Sequence, residues 1–137
     1  MALKDTVRID VIIHATESAS KMAESFGILG LDAGIFELRQ TTGHFGNQIT
    51  ILETELGKTD ARDFVRKMAQ MLPRDEALQA AAEGGIEGST LYLRLDKQRL
   101  AEGAVRLASQ DTVRVRITVP IYTGSAREIF EEIFRLD

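Results

Sequence analysis

Strict alternation of apolar and polar side chains near the C-terminus constrains the fold of this 137-residue chain more than any other feature. Over residues 112–119, valine or isoleucine occupies every second position, with threonine or arginine between them. Successive side chains of a β-strand point to opposite faces, so the pattern predicts a strand over 112–121 with one face packed and one exposed to solvent. Residues 7–13 show the same period. The core is therefore expected to rest on a sheet with an open face.

Segments in which apolar residues recur at helical spacing lie between the predicted strands. Four helices are predicted: one capped by Thr16 or Ser18 and ended by Gly27 to Gly30, one capped by Thr59 and ended by Pro73, one over 74–83, and one opened by the capping box Ser125 and Glu128. Further strands are predicted over 33–39, 48–56 and 90–95. The order is β-α-β-β-α-α-β-β-α in a single domain spanning 1–137. It favours an α+β fold, a mainly antiparallel sheet of about five strands with helices packed on one face.

Arginine dominates the predicted open face. The alternation places there Arg8, Glu37, Arg39, Tyr92, Arg94, Arg114 and Arg116. The net charge of −4 argues against a protein that coats nucleic acid by bulk attraction, but residues 89–116 carry more cations than anions. Guanidinium groups suit phosphate contacts and stacking on bases. Arg94, Arg114 and Arg116 can instead form ion pairs with Glu37, Asp10 or Glu53, and the charged residues can also form a solvated surface without a partner.

The loop Gly43-His44-Phe45-Gly46-Asn47 permits two interpretations. Its glycines allow backbone conformations that other residues avoid. In one interpretation it is a tight hairpin connection in which Phe45 packs on the core. In the other, Asn47 and backbone N–H groups meet a phosphate or base edge, while His44 or Phe45 stacks on a base. A core role would not require a histidine beside the phenylalanine, so we predict that His44 is accessible to solvent.

The composition excludes several kinds of active site. Without cysteine there is no disulfide, thiolate metal site or cysteine nucleophile, and His14 and His44 are the only histidines. His14 is predicted to be a hydrogen-bonded structural residue. Metalloprotease, nucleophile-elbow and Walker motifs are absent from the sequence, so we expect no enzyme, no metal site and no cofactor. No apolar run approaches the roughly 18 residues of a membrane span, and the N-terminus lacks a signal sequence, so a cytoplasmic protein is expected.

Three motifs together resemble one known family. His14-Ala15-Thr16-Glu17, Gly43 to Asn47 and Leu91-Tyr92-Leu93-Arg94-Leu95-Asp96-Lys97-Gln98 occur in the order found in archaeal RNA-binding proteins described as predicted exosome subunits. The resemblance covers about Val7 to Phe134. It implies an archaeal, cytoplasmic RNA-binding protein with a fold like that of the large-subunit ribosomal protein that holds 5S ribosomal RNA. Gln48 and Thr123 depart from the family, which has proline at these positions.

Two functions remain open. The first is a non-catalytic RNA-binding protein that serves RNA processing or degradation with the exosome, or ribosome assembly with ribosomal proteins. The alternative is a structural subunit that forms a homodimer, or binds another protein, through its open sheet face. The candidate RNA contacts are Arg39, His44, Phe45, Asn47, Tyr92, Arg94, Lys97, Arg114 and Arg116. Asp96 and Lys97 are nevertheless expected to be chiefly structural, because an aspartate that follows a strand caps the next turn.

Overall fold

The computed structural model describes residues 6–76, 79, 86–119 and 130. The strands within these residues are β1 (Thr6–Ile13), β2 (Glu37–Thr42), β3 (Gln48–Gly57), β4 (Ile86–Glu87), β5 (Thr90–Asp96) and β6 (Thr112–Thr118). They form one antiparallel sheet in the order β2-β3-β1-β6-β5-β4. The helices are α1 (Ala19–Ser25), α2 (Lys58–Met71) and α3 (Lys97–Ala101), with 3-10 helices over Phe26–Leu29 and Ala33–Ile35. The predicted α+β fold with a mainly antiparallel sheet is confirmed.

Strand β1 lies at the centre of the sheet, between β3 and β6. Its register aligns Ile9 with Thr54 of β3 and with Val115 of β6, and Val115 aligns in turn with Leu93 of β5. Apolar side chains of these rows are buried on one face. Helical and 3-10 residues complete the core: Met22, Ala23, Phe26, Leu29, Ala61, Phe64, Val65 and Met68. The helices therefore cover one face of the sheet and leave the other open, as predicted.

Two helix caps predicted from the sequence are present. The hydroxyl of Ser18 accepts the backbone N–H of Lys21 at 3.2 Å, at the start of α1. Asp96 ends β5 and caps α3, because its Oδ1 accepts the N–H of Arg99 at 2.9 Å. Each cap satisfies a backbone donor that has no partner inside its helix. The prediction that Thr59 caps a helix is wrong.

Helix α2 begins at Lys58 and has Gly57 at its N-cap position, without a side-chain hydrogen bond. The second predicted strand also begins later than expected. Asp32 accepts the N–H of Gly34 at 3.0 Å and so opens the 3-10 helix over Ala33–Ile35. A short polar side chain that bonds to its own backbone competes with strand formation. The extended backbone of β2 therefore starts only at Glu37.

Strand β4 was not predicted, since two residues are too few for a periodic pattern. Other predictions reach outside the described residues. Of the helix predicted over 74–83, residues 74–76 and 79 are helical and the remainder is not described. The capping box at Ser125 also lies outside the described residues, although Phe130 is helical and fully buried. Among the helices that are described, none is long and apolar enough to cross a membrane.

Replacing Asp96 with alanine removes the cap of α3. We expect Asp96→Ala to lower the free energy of unfolding by about 1 kcal/mol, measured by urea denaturation. Gln98→Ala, an exposed position in the same helix, serves as the control and should leave stability nearly unchanged. Unchanged stability of Asp96→Ala combined with weaker RNA binding would assign Asp96 to an RNA contact instead.

Candidate nucleic-acid interface

The open face of the sheet carries two regions of opposite charge. One row of cross-strand neighbours contains Glu37, Glu53, Asp10, Arg114 and Arg94. The next row contains Glu55, Arg8, Arg116 and Tyr92. Glutamates therefore occupy β2 and β3, and arginines occupy β1, β6 and β5. We call Arg8, Tyr92, Arg94, Arg114 and Arg116 the basic patch, and Glu37, Glu53 and Glu55 the acidic strip.

Asp10 holds two arginines of the basic patch in place. It occupies a position on the open face and is nevertheless only 5% exposed, because Arg114 and Arg116 lie against it. Nε and Nη2 of Arg114 both lie 2.7 Å from Asp10 Oδ1, and Nη2 of Arg116 lies 3.2 Å from Oδ2. The Arg114 side chain remains 56% exposed. The ion pairs that the sequence allowed for these arginines therefore exist, but they leave the guanidinium groups at the surface.

The other two arginines of the patch form no ion pair within the described part of the chain. Arg94 lies opposite Arg114, and Arg8 lies opposite Arg116. Arg8 also faces Glu55 on β3, without an ion pair between them. Like charges directly opposite one another destabilise a sheet. The four arginines outnumber the two acidic residues directly opposite them, Asp10 and Glu55, so the patch holds an excess of positive charge that an anion would neutralise.

Tyr92 adds an aromatic surface to the guanidinium groups. Its side chain is 46% exposed and lies opposite Arg116. Together with Arg94 and Arg114, these two residues line a shallow depression of about 370 Å³. An exposed ring can stack on a base while neighbouring arginines contact the phosphates. The structure thus brings four of the predicted contacts together: Tyr92, Arg94, Arg114 and Arg116.

Backbone hydrogen bonds of two glycines close the hairpin tip, residues 43–47. The N–H of Gly43 donates to the carbonyl of Asn47 at 2.6 Å, and the N–H of Gly46 donates to the carbonyl of Gly43 at 3.0 Å. Gly46 has a φ of 79°, which side chains disfavour. A Cβ atom at Gly43 would lie 2.5 Å from the Asn47 side-chain oxygen. The backbone of this turn therefore favours glycine at position 46, whereas a side chain at position 43 would require the Asn47 side chain to move.

The hairpin tip holds two aromatic rings away from the core. Phe45 is 91% exposed, and the rings of His44 and Phe45 meet edge to face with centroids 5.0 Å apart. The interpretation in which Phe45 packs on the core is wrong. The predicted accessibility of His44 is confirmed. That these rings and Asn47 contact RNA stays a prediction.

Arg39 and the hairpin tip lie apart from the basic patch. Nε of Arg39 donates to Oε1 of Glu53 at 2.9 Å, so Arg39 belongs beside the acidic strip. Along β3, about 20 Å of extended chain separates Asn47 from Glu53, and the predicted contacts on β6 and β5 lie at least roughly 10 Å further across the sheet. The candidate contacts therefore fall into two separate regions.

Lys97 is a buried structural residue, which corrects its place among the candidate RNA contacts. Its side chain is 5% exposed, and Nζ donates to Ile12 O at 2.6 Å, Glu17 Oε1 at 2.8 Å and Asp111 Oδ1 at 3.1 Å. A buried ammonium group needs such partners to offset its lost hydration. His14 joins the cluster, with Nε2 3.1 Å from Asp111 Oδ1 and its backbone N–H bonded to Glu17 at 2.8 Å. This agrees with the structural role predicted for His14.

The lysine cluster lowers the pKa of two carboxyl groups. Burial raises the pKa of Glu17, but the hydrogen bonds from Lys97 and from the His14 backbone outweigh it and bring the pKa below the ordinary 4.5. The hydrogen bond from Lys97 is the main cause that lowers the pKa of Asp111 below the ordinary 3.8, although burial opposes it. Both carboxylates therefore stay ionised beside Lys97. Through their hydrogen bonds with Lys97, they help to hold the start of α3 against the end of β1.

Comparison with known proteins places the chain in a family described as RNA binding. A family model described as RNA binding matches residues 6–119, which include the basic patch and the hairpin tip. The chain belongs to this RNA-binding family. It is 30% identical over 126 residues to an RNA-binding protein of Pyrococcus abyssi, and the alignment covers 85% of this chain and 82% of that relative.

Solved structures of archaeal proteins show the same fold. A protein of Archaeoglobus fulgidus matches with a TM-score of 0.77 at 26% identity, over 95% of this chain and 99% of the other. A protein of Sulfolobus solfataricus matches with a TM-score of 0.74 at 28% identity, over 93% of both chains. The archaeal source of these relatives agrees with the resemblance found in the sequence.

Sequence reasoning left Arg8 and Asp10 outside the candidate contacts of this RNA-binding protein. The alternating pattern does place both residues on the face of the first strand that points away from the core. Their importance depends on the opposing arginines of β6, which only the register reveals. In the described ranges, no group of histidine, aspartate and glutamate side chains is arranged to hold a metal ion.

Acid should weaken the lysine cluster. The lowered folded-state pKa values of Glu17 and Asp111 stabilise the fold at pH above the ordinary values of 4.5 and 3.8, and this contribution is lost as pH falls through the lowered values. We expect Asp111→Asn to lower stability at neutral pH and to make its decrease between about pH 5 and pH 2 shallower than in the wild type. Chemical denaturation at each pH measures this, with Glu24→Gln on α1 as the control. Equal pH slopes for Asp111→Asn and the wild type would contradict it.

Proposed function

We propose that this chain binds RNA through the basic patch and does not cleave or modify it. The observation that carries the proposal is the pairing of like charges across the sheet: Arg94 opposite Arg114 and Arg8 opposite Arg116. Such pairs cost stability in the free protein. A phosphate placed between two opposing guanidinium groups removes that repulsion and gains charge-assisted hydrogen bonds. The membership in an RNA-binding family supports RNA as the source of the phosphates.

The position of Tyr92 favours single-stranded RNA. An aromatic side chain stacks well only on a base that is not already paired and stacked within a duplex. Asp10 keeps Arg114 and Arg116 beside this ring, so less rotamer entropy is lost when a strand binds. The acidic strip repels phosphates, and it therefore confines the strand to the β6 and β5 side of the face.

The hairpin tip is proposed as a second contact. Phe45 and His44 present exposed rings that contact each other and lie outside the buried core. The separation from the basic patch, on the order of 25 Å, is a few nucleotides of extended RNA. One strand can therefore engage both regions.

The cellular role proposed here is that of an accessory factor in RNA processing or degradation with the exosome, or in ribosome assembly with ribosomal proteins. The three sequence motifs, and the likeness to a ribosomal protein that they imply, support this part of the proposal. Recovery of the bound RNA from native cells by crosslinking and sequencing tests it. Enrichment of ribosomal RNA precursors favours assembly, and enrichment of mixed RNA 3′ ends favours processing.

A homodimer formed through the open face is the competing function. The observation that favours it is the division of that face into the acidic strip and the basic patch, which a second copy turned by a twofold axis can match. Such a dimer would cover the arginines. Added RNA should then dissociate it, whereas dimers formed elsewhere should survive RNA binding.

Removing one unpaired arginine should weaken RNA binding and its dependence on salt. For Arg94→Gln we expect lower affinity for a labelled single-stranded RNA of mixed sequence, and a salt slope smaller by about 0.7. Arg99→Gln on α3, outside the basic patch, is the matched control. Fluorescence anisotropy over a salt series measures both, and the length of the recovered RNA shows whether it was cleaved. Equal effects of the two variants would contradict the proposed patch.

Truncating the exposed ring should weaken binding without affecting the fold. We expect Phe45→Ala to reduce RNA affinity by about 1–3 kcal/mol, the value of one stacked base, while the melting temperature stays close to that of the wild type. Phe45→Tyr keeps the ring and should keep the affinity. If Phe45→Ala binds RNA like the wild type, the hairpin tip is not a contact and the basic patch acts alone.

A further inference from the structure

Strand β2 forms an edge of the sheet that nothing in the described part of the chain covers. Among the described strands it pairs with β3 alone, and all its residues, Glu37–Thr42, are exposed. Leu38 is 60% exposed and faces the helix side of the sheet, since it lies opposite the buried Leu52. An edge strand offers unpaired backbone groups to another strand. An exposed leucine on such an edge adds apolar surface that a partner can bury.

The hairpin geometry determines which backbone groups of β2 are free. Gly43 and Asn47 form a hydrogen-bonded pair at the tip, and hydrogen-bonded pairs alternate along an antiparallel ladder. Residues 41, 39 and 37 therefore bond to β3. The N–H and C=O groups of Leu38, Gln40 and Thr42 point away from the sheet, where a second strand can reach them.

We propose that two copies of this chain pair antiparallel through β2, with Leu38 opposite Leu38 of the second copy. In this register Glu37 lies opposite Arg39 of the second copy, and the twofold axis repeats the pair. Opposite charges directly across a ladder stabilise it, and the two leucines meet at a Cβ separation of about 5 Å. The β2 sequence is thus complementary to itself in both charge and apolar surface.

The charges in the free chain leave Glu37 available for this pair. Glu37 lies opposite Glu53 on β3, and it forms no ion pair among the described residues. Nε of Arg39 donates to Oε1 of Glu53 at 2.9 Å. Arg39 therefore neutralises Glu53, and Glu37 is left beside this ion pair without a positive partner of its own in the described part of the chain. In the dimer, Arg39 of the second copy would bridge its own Glu53 and the Glu37 that lies opposite it.

The backbone groups fit the same register. Each Leu38 can donate to and accept from Leu38 of the second copy, and each Gln40 N–H can donate to the Phe36 carbonyl of the second copy. The N–H of Phe36 already donates to Ala33 O at 3.3 Å, so Phe36 supplies only an acceptor. Four hydrogen bonds would therefore join the copies by this count.

A register centred on Gln40 competes with this one. It would form more backbone hydrogen bonds, since Leu38 and Thr42 would pair fully. It would also place Arg39 opposite Thr41 and Glu37 opposite Gly43, so no opposite charges would meet. The two arginines would then lie diagonally across the twofold axis and repel each other. The charge pattern therefore selects the register centred on Leu38.

Pairing through β2 would leave RNA binding intact. The twofold axis of an antiparallel pair stands perpendicular to the sheet, so both open faces lie on the same side. The acidic strips meet at the centre, and the basic patches lie at the two outer ends. A dimer of this form would hold two RNA segments, or two parts of one RNA, with increased avidity.

A single introduced cysteine tests the register, because the chain contains no native cysteine. In the proposed dimer, the Cα atoms of the two Leu38 residues lie about 5.5 Å apart, within disulfide range. The two Gln40 residues lie about 13 Å apart along the strands. Under mild oxidation, Leu38→Cys should form a disulfide-linked dimer and Gln40→Cys should not. Non-reducing electrophoresis measures both.

Charge exchange tests the ion pairs without depending on oxidation. Glu37→Arg gives two positive residues on β2, and Arg39→Glu gives two negative ones, so each variant alone should self-associate at least tenfold more weakly than the wild type. An equimolar mixture restores both ion pairs and should recover dimers. Sedimentation velocity over a range of concentrations measures this, and melting curves of each variant confirm that it folds.

Three outcomes would overturn the proposal. A wild-type chain that stays monomeric at every concentration has no such dimer. Crosslinking of Gln40→Cys, but not of Leu38→Cys, would assign the other register. If the charge-exchange variants self-associate as strongly as the wild type, and their dimers dissociate when RNA is added, the interface lies on the open face.

Discussion

The pairing of β1 with β3 and β6 is the constraint on which the rest of the structure depends. Side chains alternate along each strand, so a shift of one residue in either ladder would move Ile9 out of the core and bring Arg8 or Asp10 into it. The observed register buries one continuous apolar layer. The same register sets Arg8 and Asp10 opposite the arginines of β6. The core and the charged face are thus two results of one pairing.

Two buried charges of the molecule have opposite consequences. Lys97 is surrounded by the oxygens of Ile12, Glu17 and Asp111, so its charge is balanced inside the protein and stabilises a junction between elements. Asp10 is shared by two arginines that remain at the surface, so positive charge is left over there. Each buried charge has two opposite charges beside it, and the candidate interface differs by two further arginines, Arg8 and Arg94, which form no ion pair among the described residues.

The strand order separates the proposed RNA-binding surface from the edge proposed for self-association. The acidic strip lies between the basic patch and the free edge of β2, and it repels phosphates from that edge. RNA and a second copy of the chain would therefore occupy different parts of the same sheet. This separation follows from the strand order, which puts β2 and β3 at one side and β6 and β5 at the other.

The sequence by itself determined the α+β class, the strands of the core, the caps at Ser18 and Asp96, and the arginines of the open face. These features depend on local periodicity and on hydrogen bonds between near neighbours. Only the tertiary structure decided that Lys97 is buried, that Phe45 is exposed, and that Arg39 pairs with Glu53 away from the other arginines. Each of these depends on strand register and on contacts between distant parts of the chain, which a local pattern does not contain.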